Sequence, residues 1–296
     1  MSSWYDALAD RYGDWSTSVA ADVPFYVGLA RDADGPLVEL AVGTGRVAIP
    51  VAQATGRRVL GIDSSPAMLA QARVHAAEEG VELDLREGDI RELEIEERAA
   101  LIYCPGRSLL HLPTWADRRR CFERVAASLR SNGRFAWNAF AFDHHVASAL
   151  DGQHADAHAG VPLPHTNHYS VSDNRVDITL DDGGTGSFRW GNQERMAGLL
   201  DVAGLRLEAL HGGFAGERLD DESREYIFRG PSVSAQPGPH AQRRGTFPHT
   251  GAPLYTAMPV AKWVSTTVRP GARTRRFWVA RLSATDRARR RDRRSR

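Results

Sequence analysis

Leu37-Val38-Glu39-Leu40-Ala41-Val42-Gly43-Thr44-Gly45-Arg46-Val47-Ala48-Ile49-Pro50 is the stretch that decides the fold. It opens as an apolar run with β character and passes through two glycines one residue apart. It closes in a segment that reads as the first turns of a helix. A strand, a Gly-rich turn and a helix N-terminus in that order make a site for a nucleotide-like ligand. Gly43 and Gly45 let the backbone come close to that ligand and take a positive φ without a Cβ clash.

The flanking sequence extends the pattern. Residues 47–54 read as a helix ended by Gly56, and 58–63 as a second buried strand finishing on Asp63. Ser65 is a fitting N-cap with Pro66 at the first helical position, and the helix over 67–79 stops at Gly80. Residues 81–85, 99–104 and 134–140 read as three more strands, the last entered through an Asn132-Gly133 turn. Thr114 caps a helix over 115–129. Strands alternating with helices predict a parallel sheet covered on both faces. Residues 142–168, rich in His, Ala, Asp and Gly, read as a long excursion. The neighbouring stretches 168–171, 175–180 and 187–190 alternate like antiparallel strands. A helix over 193–203 and strands over 204–210 and 224–228 follow, so the sheet ends in an antiparallel pair. Upstream, aromatics between Trp4 and Trp15 recur at helical spacing. They predict a short amphipathic helix, either packed on the body or acting as a lid through Tyr5 and Tyr12.

The 296 residues, 42% hydrophobic and 25% charged, suffice for one large domain with an appendage. The expected division is 1–230 for the domain and 231–296 for a tail. Two cysteines, Cys104 and Cys121, imply no disulfide framework and predict a reducing, intracellular setting. No secretory signal is legible at the N-terminus, and no apolar run approaches the ~20 residues that span a bilayer. A cytoplasmic protein with no membrane partner is therefore expected. The net charge of +1 hides an asymmetry: residues 231–296 hold 15 Lys/Arg against the two acids Asp286 and Asp292, which leaves the body acidic. An acidic body argues against a nucleic-acid face on the main domain. The basic tail is predicted to be disordered and is the one candidate for nucleic-acid contact. The sequence sets no oligomeric state.

Gly43-Thr44-Gly45-Arg46-Val47-Ala48 also satisfies the looser Gly-x-Gly-x-x-Ala fingerprint of dinucleotide enzymes. Three acids decide against that reading. Glu39, inside the strand, would repel a pyrophosphate and favour a cationic ligand. Asp63 ends the next strand, where a carboxylate takes both hydroxyls of a ribose. Asp89 ends the third strand, placed to accept from an adenine amino group beside apolar Ile90. Ribose, adenine and a positively charged amino-acid end without phosphates describe S-adenosylmethionine.

On these residues the sequence resembles the class I S-adenosylmethionine-dependent methyltransferases, in their small-molecule branch. The matching segments are Val38 to Gly45, Gly61-Ile62-Asp63-Ser64-Ser65-Pro66-Ala67-Met68-Leu69, Glu87-Gly88-Asp89-Ile90 and Arg130-Ser131-Asn132-Gly133-Arg134-Phe135, in the family's order and spacing. The resemblance covers about residues 4–228. It implies an α/β, Rossmann-like doubly wound sheet of seven mostly parallel strands with an antiparallel last strand. It implies cofactor contacts at Glu39, Ala41, Gly43, Gly45, Asp63, Ser64, Met68, Asp89 and Ile90, with Cys104 closing over the methionine side. Ala41 stands where many members carry Gly, a change expected to be harmless. Ser131-Asn132-Gly133 replaces a Pro-Gly-Gly turn. Arg229-Gly230-Pro231 is expected to cut the last strand short.

For the methyl acceptor, the sequence points to a small molecule. The Asp/Asn-Pro-Pro-aromatic motif usual for nucleobase amines is absent after the fourth strand, where Tyr103-Cys104-Pro105-Gly106-Arg107 stands. Arg107 is a candidate to hold a substrate carboxylate and His111 a candidate general base. Asn138, at the end of the fifth strand, and the aromatic Tyr5 and Tyr12 would line the substrate side. His154 and His158 have a metal-like spacing only on a helix, and they lack a cysteine or carboxylate partner set, so no metal is expected. Two rival readings stay open: an NAD-linked oxidoreductase of the same fold, and an inactive cofactor-binding regulator using the basic tail.

Overall fold

A computed structural model describes residues 5, 9, 12, 17–156 and 163–231. Five parallel strands, β1 (Leu37–Leu40), β2 (Val59–Asp63), β3 (Leu83–Glu87), β4 (Ala99–Cys104) and β5 (Leu129–Phe140), alternate with helices. Those helices are α1 (Val23–Asp32), α2 (Ala48–Thr55), α3 (Pro66–Glu78) and α4 (Trp115–Ser128). The sheet has seven strands in the order β10-β11-β5-β4-β1-β2-β3, with β10 at Ala209–His211 and β11 at Glu225–Pro231. Only β11 runs against its neighbours, and it lies inside the sheet between β5 and β10. The reversal reported in the sequence is thus correct for the last strand.

The predicted caps form. Ser65 accepts from the Met68 N–H ahead of Pro66, and Thr114 makes a reciprocal capping box with Asp117. Period-two alternation then divides the core. Ile102 and Cys104 face α4 and its Phe122 and Val125, whereas Leu101 and Tyr103 face α1 and α2, with Tyr26, Leu29 and Val51. In the first layer Trp137 stacks on Phe228 at 4.6 Å between centroids and meets Phe122 edge-on at 4.9 Å. These aromatics lock β11 against β5 and α4.

Three readings of the sequence need correction. The last strand is not cut short: Glu225 to Pro231 all pair with β5, Pro231 opposite Arg134. Pro231 is the final residue, past the reach of β10, so its missing N–H breaks no central ladder. Gly230 stands where the Arg206 carbonyl crosses the strand, leaving no room for a Cβ. The Asn132-Gly133 turn is a bulge within β5, spanning the register shift between Ala99↔Leu129 and Leu101↔Arg134. The excursion carries its own structure: helix α5 (His144–Leu150), capped by Asp143, and β6 (His154–Ala155). Three further strands, β7 (His165–Ser170), β8 (Arg175–Leu180) and β9 (Thr185–Arg189), join β6 in a separate four-stranded antiparallel sheet. Helix α6 (Gln193–Val202) returns the chain to the main sheet.

Of the expected N-terminal helix, Tyr5, Ala9 and Tyr12 are described and all are helical, with Ala9 buried. Apart from Pro231, the basic tail lies outside the described residues, as does His158. Among the described residues no helix is long and apolar enough to cross a membrane, and no group of three or more His, Cys, Asp or Glu side chains is gathered for a metal.

Replacing Gly230 by Ala should destabilise the protein by about 1–3 kcal/mol, because the new methyl group meets a backbone carbonyl that has no room to move. Chemical denaturation gives the value, and an unchanged midpoint would show that the last strand is not anchored there.

Candidate active site

Beyond Leu40 the chain turns sharply. Ala41 (φ 54°), Gly43 (φ 55°) and Gly45 (φ 84°) all have left-handed backbone. Alanine at such a φ costs about 1–2 kcal/mol, so Ala41 is a strained substitution and not the harmless one expected. The turn is fastened to β2: Val42 N–H donates to the Ile62 carbonyl, and Gly43 N–H donates to Asp63 Oδ2 at 2.8 Å. Asp63 Oδ1 accepts from the Ser65 N–H at 2.9 Å. Asp63 therefore braces both the glycine turn and the start of α3.

Beneath the turn lies Glu39, 1% exposed and opposite Tyr103 in the β1–β4 register. Burial pushes its carboxyl pKa well above the usual range. The nearby Tyr103 hydroxyl and Arg46 oppose the rise, and Asp22 and Asp63 add to it. Glu39 Oε2 is buried and accepts no hydrogen bond from the described residues. Arg46, from the same turn, is held by Asp22 in a bidentate pair of 2.5 and 2.7 Å. That pair ties the turn to the start of α1. An orphaned buried carboxylate oxygen under a glycine turn is what a cationic ligand end would complete.

Tyr5 and Tyr12 sit over this turn. A Cβ on Gly43 would lie 3.9 Å from the Tyr12 ring. The two phenols are edge to face at 6.2 Å, and burial beside Asp63 raises the pKa of both. Tyr5 reaches across to His111, with its hydroxyl 2.7 Å from Nε2. His111 Nδ1 lies 2.8 Å from the Ser187 carbonyl of β9, an acceptor only. Nδ1 must therefore carry the proton, Nε2 holds the lone pair, and the Tyr5 hydroxyl donates to it. Burial lowers the His111 pKa below 6.5, so the ring is neutral at pH 7.

The remaining predicted residues fall in two groups. Met68 is buried and packs in a small cluster with Ala9 and Leu180, beside Tyr5 and Tyr12. Cys104 is fully buried and its thiol pKa is pushed well up. Ser64 is exposed. Asp89 caps a short turn beginning at Ile90, and its carboxylate takes Arg91 at 2.5–3.0 Å while Arg91 also reaches Asp117 at 2.7 Å. Ile90 packs on the main core. Asn138 is buried, accepts from the Tyr26 hydroxyl at 3.2 Å and donates to Glu225 Oε2 at 3.1 Å. Arg107 has left-handed backbone (φ 61°); its Nε donates to Glu225 Oε1 at 2.6 Å, and its guanidinium lies 4.0 Å over Phe140. Arg107 is thus already paired, not a free clamp. Asp22, Tyr26, Tyr103, Ser187 and Glu225 were not read from the sequence. Nothing local marks them, because each acts through a contact distant in the chain.

The chain is similar to known methyltransferases. Residues 37–133 match a family described as a methyltransferase domain. A glycine/sarcosine N-methyltransferase from Parasynechococcus marenigrum is 31% identical over 127 residues, 42% of this chain and 45% of that protein. A trans-aconitate 2-methyltransferase from an Enterobacter species is 31% identical over 137 residues, 46% of this chain and 50% of that protein. The chain thus spans about half the length of the curated relatives it matches. The CcbJ methyltransferase structure from Streptomyces caelestis superposes with a TM-score of 0.65 over 78% of this chain and 98% of that one, at 21% identity, a likeness of fold.

Replacing Glu39 by Gln should raise the unfolding midpoint at pH 7. The folded state raises the carboxyl pKa, so Glu39 stabilises least once pH exceeds that value, and a neutral amide removes the cost. Each kcal/mol recovered is worth about 2–4 °C. A lowered midpoint would mean that the ionised carboxylate is itself a stabilising group. Residues 37–133 match a methyltransferase-domain family, and the sheet built around them has a Rossmann-like methyltransferase fold.

Proposed function

We propose that this chain transfers a methyl group from S-adenosylmethionine to a small-molecule acceptor. The observation that carries the reading is the orphaned, buried Glu39 Oε2 beneath the left-handed glycine turn. A cationic amino-acid end satisfies it, whereas a pyrophosphate would be repelled, which disfavours the NAD-linked alternative. The family match and the two relatives named for small acceptors support the same conclusion. Residues 1–230 are taken as the catalytic domain, 231–296 as a separate basic tail, and the setting as cytoplasmic. Nucleic acid and membrane are not proposed as partners of the domain.

The cofactor supplies an activated methyl on a sulfonium, so the protein must mainly align the acceptor and exclude water. Glu39 would take the cofactor's amino group. Gly43 and Gly45 would carry its backbone contacts, with Ala41, Ser64 and Met68 alongside. Asp63, at the C-terminal end of β2, would take ribose hydroxyls, and Asp89 with Ile90 would border the adenine. Tyr5 and Tyr12 would close the site against water. His111 is suited to remove an acceptor proton once the acceptor displaces the Tyr5 hydroxyl from its Nε2 lone pair. Asn138 and the Arg107–Glu225 pair would orient the acceptor.

Calorimetry with S-adenosylhomocysteine tests the cofactor half, and no binding at high micromolar ligand would overturn it. Replacing His111 by Gln should lower kcat by about 10²–10⁴-fold and leave that affinity unchanged. In the unaltered protein the acid limb of kcat/KM should fall below pH 6.5, since the base acts in its neutral form and burial depresses its pKa. A limb that persists in the His111→Gln chain would remove His111 from the role.

A further inference from the structure

A second cleft, of about 250 Å³, opens between the start of α4 and the segment running from β9 into α6. It shares no residue with the site described above. Arg118, Arg189 and Arg195 converge on it, with Trp115 and Trp190 on its walls and Asp173 at its edge. Three guanidinium groups face one carboxylate. Asp173 is already engaged by Arg175 at 3.1 Å and more loosely by Arg189 at 3.6 Å, so the cleft stays positively charged.

Arg118 is the informative member. It is only 6% exposed, and its Nη2 donates to the carbonyls of Leu110 and Arg189. Its Nε is buried and finds no acceptor among the described residues. Burial, together with repulsion from Arg195 and Arg189, pulls its pKa down to about 10. A buried cation with an unmet donor, crowded by two like charges, is what an anion would relieve. Arg195 is exposed and forms no ion pair among the described residues. The two indoles add flat apolar walls. The volume is slightly below the usual range for ligand pockets, which suits a single ring or a short chain.

We propose that this cleft binds a small organic anion, with a carboxylate or phosphate group held by Arg118, Arg189 and Arg195 and the body of the ligand against Trp115 and Trp190. The site is independent of methyl transfer. Its test reads binding alone, so failure here leaves the proposed activity standing, and the reverse also holds.

The experiment is calorimetric titration of the full chain with inorganic phosphate and, separately, with benzoate. At least one should bind with a Kd of about 1 mM or tighter. A tighter benzoate isotherm assigns the site to carboxylates, and a tighter phosphate isotherm to phosphate esters. Arg195→Gln should weaken the tighter anion about tenfold. The residue is exposed, and the Asn192 cap that it completes uses its backbone N–H, which Gln keeps. Arg189→Gln is a second variant expected to act in the same direction. Arg120→Gln, on an exposed side chain outside the cleft, should change nothing. Failure of both anions to bind near 10 mM, or equal affinity in the unaltered and both cleft-variant chains, would overturn the site and leave the three arginines as structural cations.

Discussion

A carboxylate buried in the central strand of a parallel sheet is the constraint on which this structure depends. β1 lies between β4 and β2, so Glu39 is enclosed by sheet on both sides and by helices above and below. Leaving an ionisable group there costs several kcal/mol unless something answers it. The local architecture is partial compensation. Tyr103 stands beside Glu39 on β4, Tyr26 stacks on Tyr103 at 5.4 Å, and Arg46 brings a positive charge from the glycine turn. Yet Arg46 is itself neutralised by Asp22, and no described residue donates to Oε2.

The same face of the sheet continues the polar layer. Glu39, Tyr103 and Asn138 lie on neighbouring strands at their C-terminal ends, where open α/β sheets bind ligands. Asn138 passes the layer on to Glu225, the first residue of the reversed strand, and Glu225 secures Arg107. An antiparallel β11 has a purpose in this arrangement. Running against β5, it brings its own N-terminal residue to the mouth of the site, where a parallel strand would deliver its C-terminal one.

How much was legible follows from chain separation. Gly43 and Asp63 are 20 residues apart, within one strand–helix–strand unit, and the glycine turn, the acids Glu39 and Asp63 and the caps of α3 and α4 were readable from spacing and residue type. The acceptor side is assembled from contacts of far greater range. Tyr5 meets His111 across 106 positions, His111 meets Ser187 across 76, and Arg107 meets Glu225 across 118. No periodicity encodes such pairings. Ser187 acts through a main-chain carbonyl, which leaves no trace in residue identity. Ala41 failed differently. Its residue type is common enough to pass as neutral, and only the backbone dihedral reveals the strain.

The inserted four-stranded sheet shows what those long contacts achieve. β9 presents alternate carbonyls to the body: Ser187 fixes the His111 tautomer, and Arg189, two residues on, receives Arg118. A strand repeats every second residue on one side, so a single edge can serve the acceptor base and the arginine cleft at once. The glycine turn itself is fastened within the parallel unit, by Asp63 and the Ile62 carbonyl, although Met68 also meets Leu180 of the insertion. Sequence change in the insertion therefore alters the proposed base and the arginine cleft while the glycine turn keeps its geometry. The division lets one half of the fold stay fixed by backbone conformation and buried charge, and leaves the other half to be set by what the insertion happens to carry.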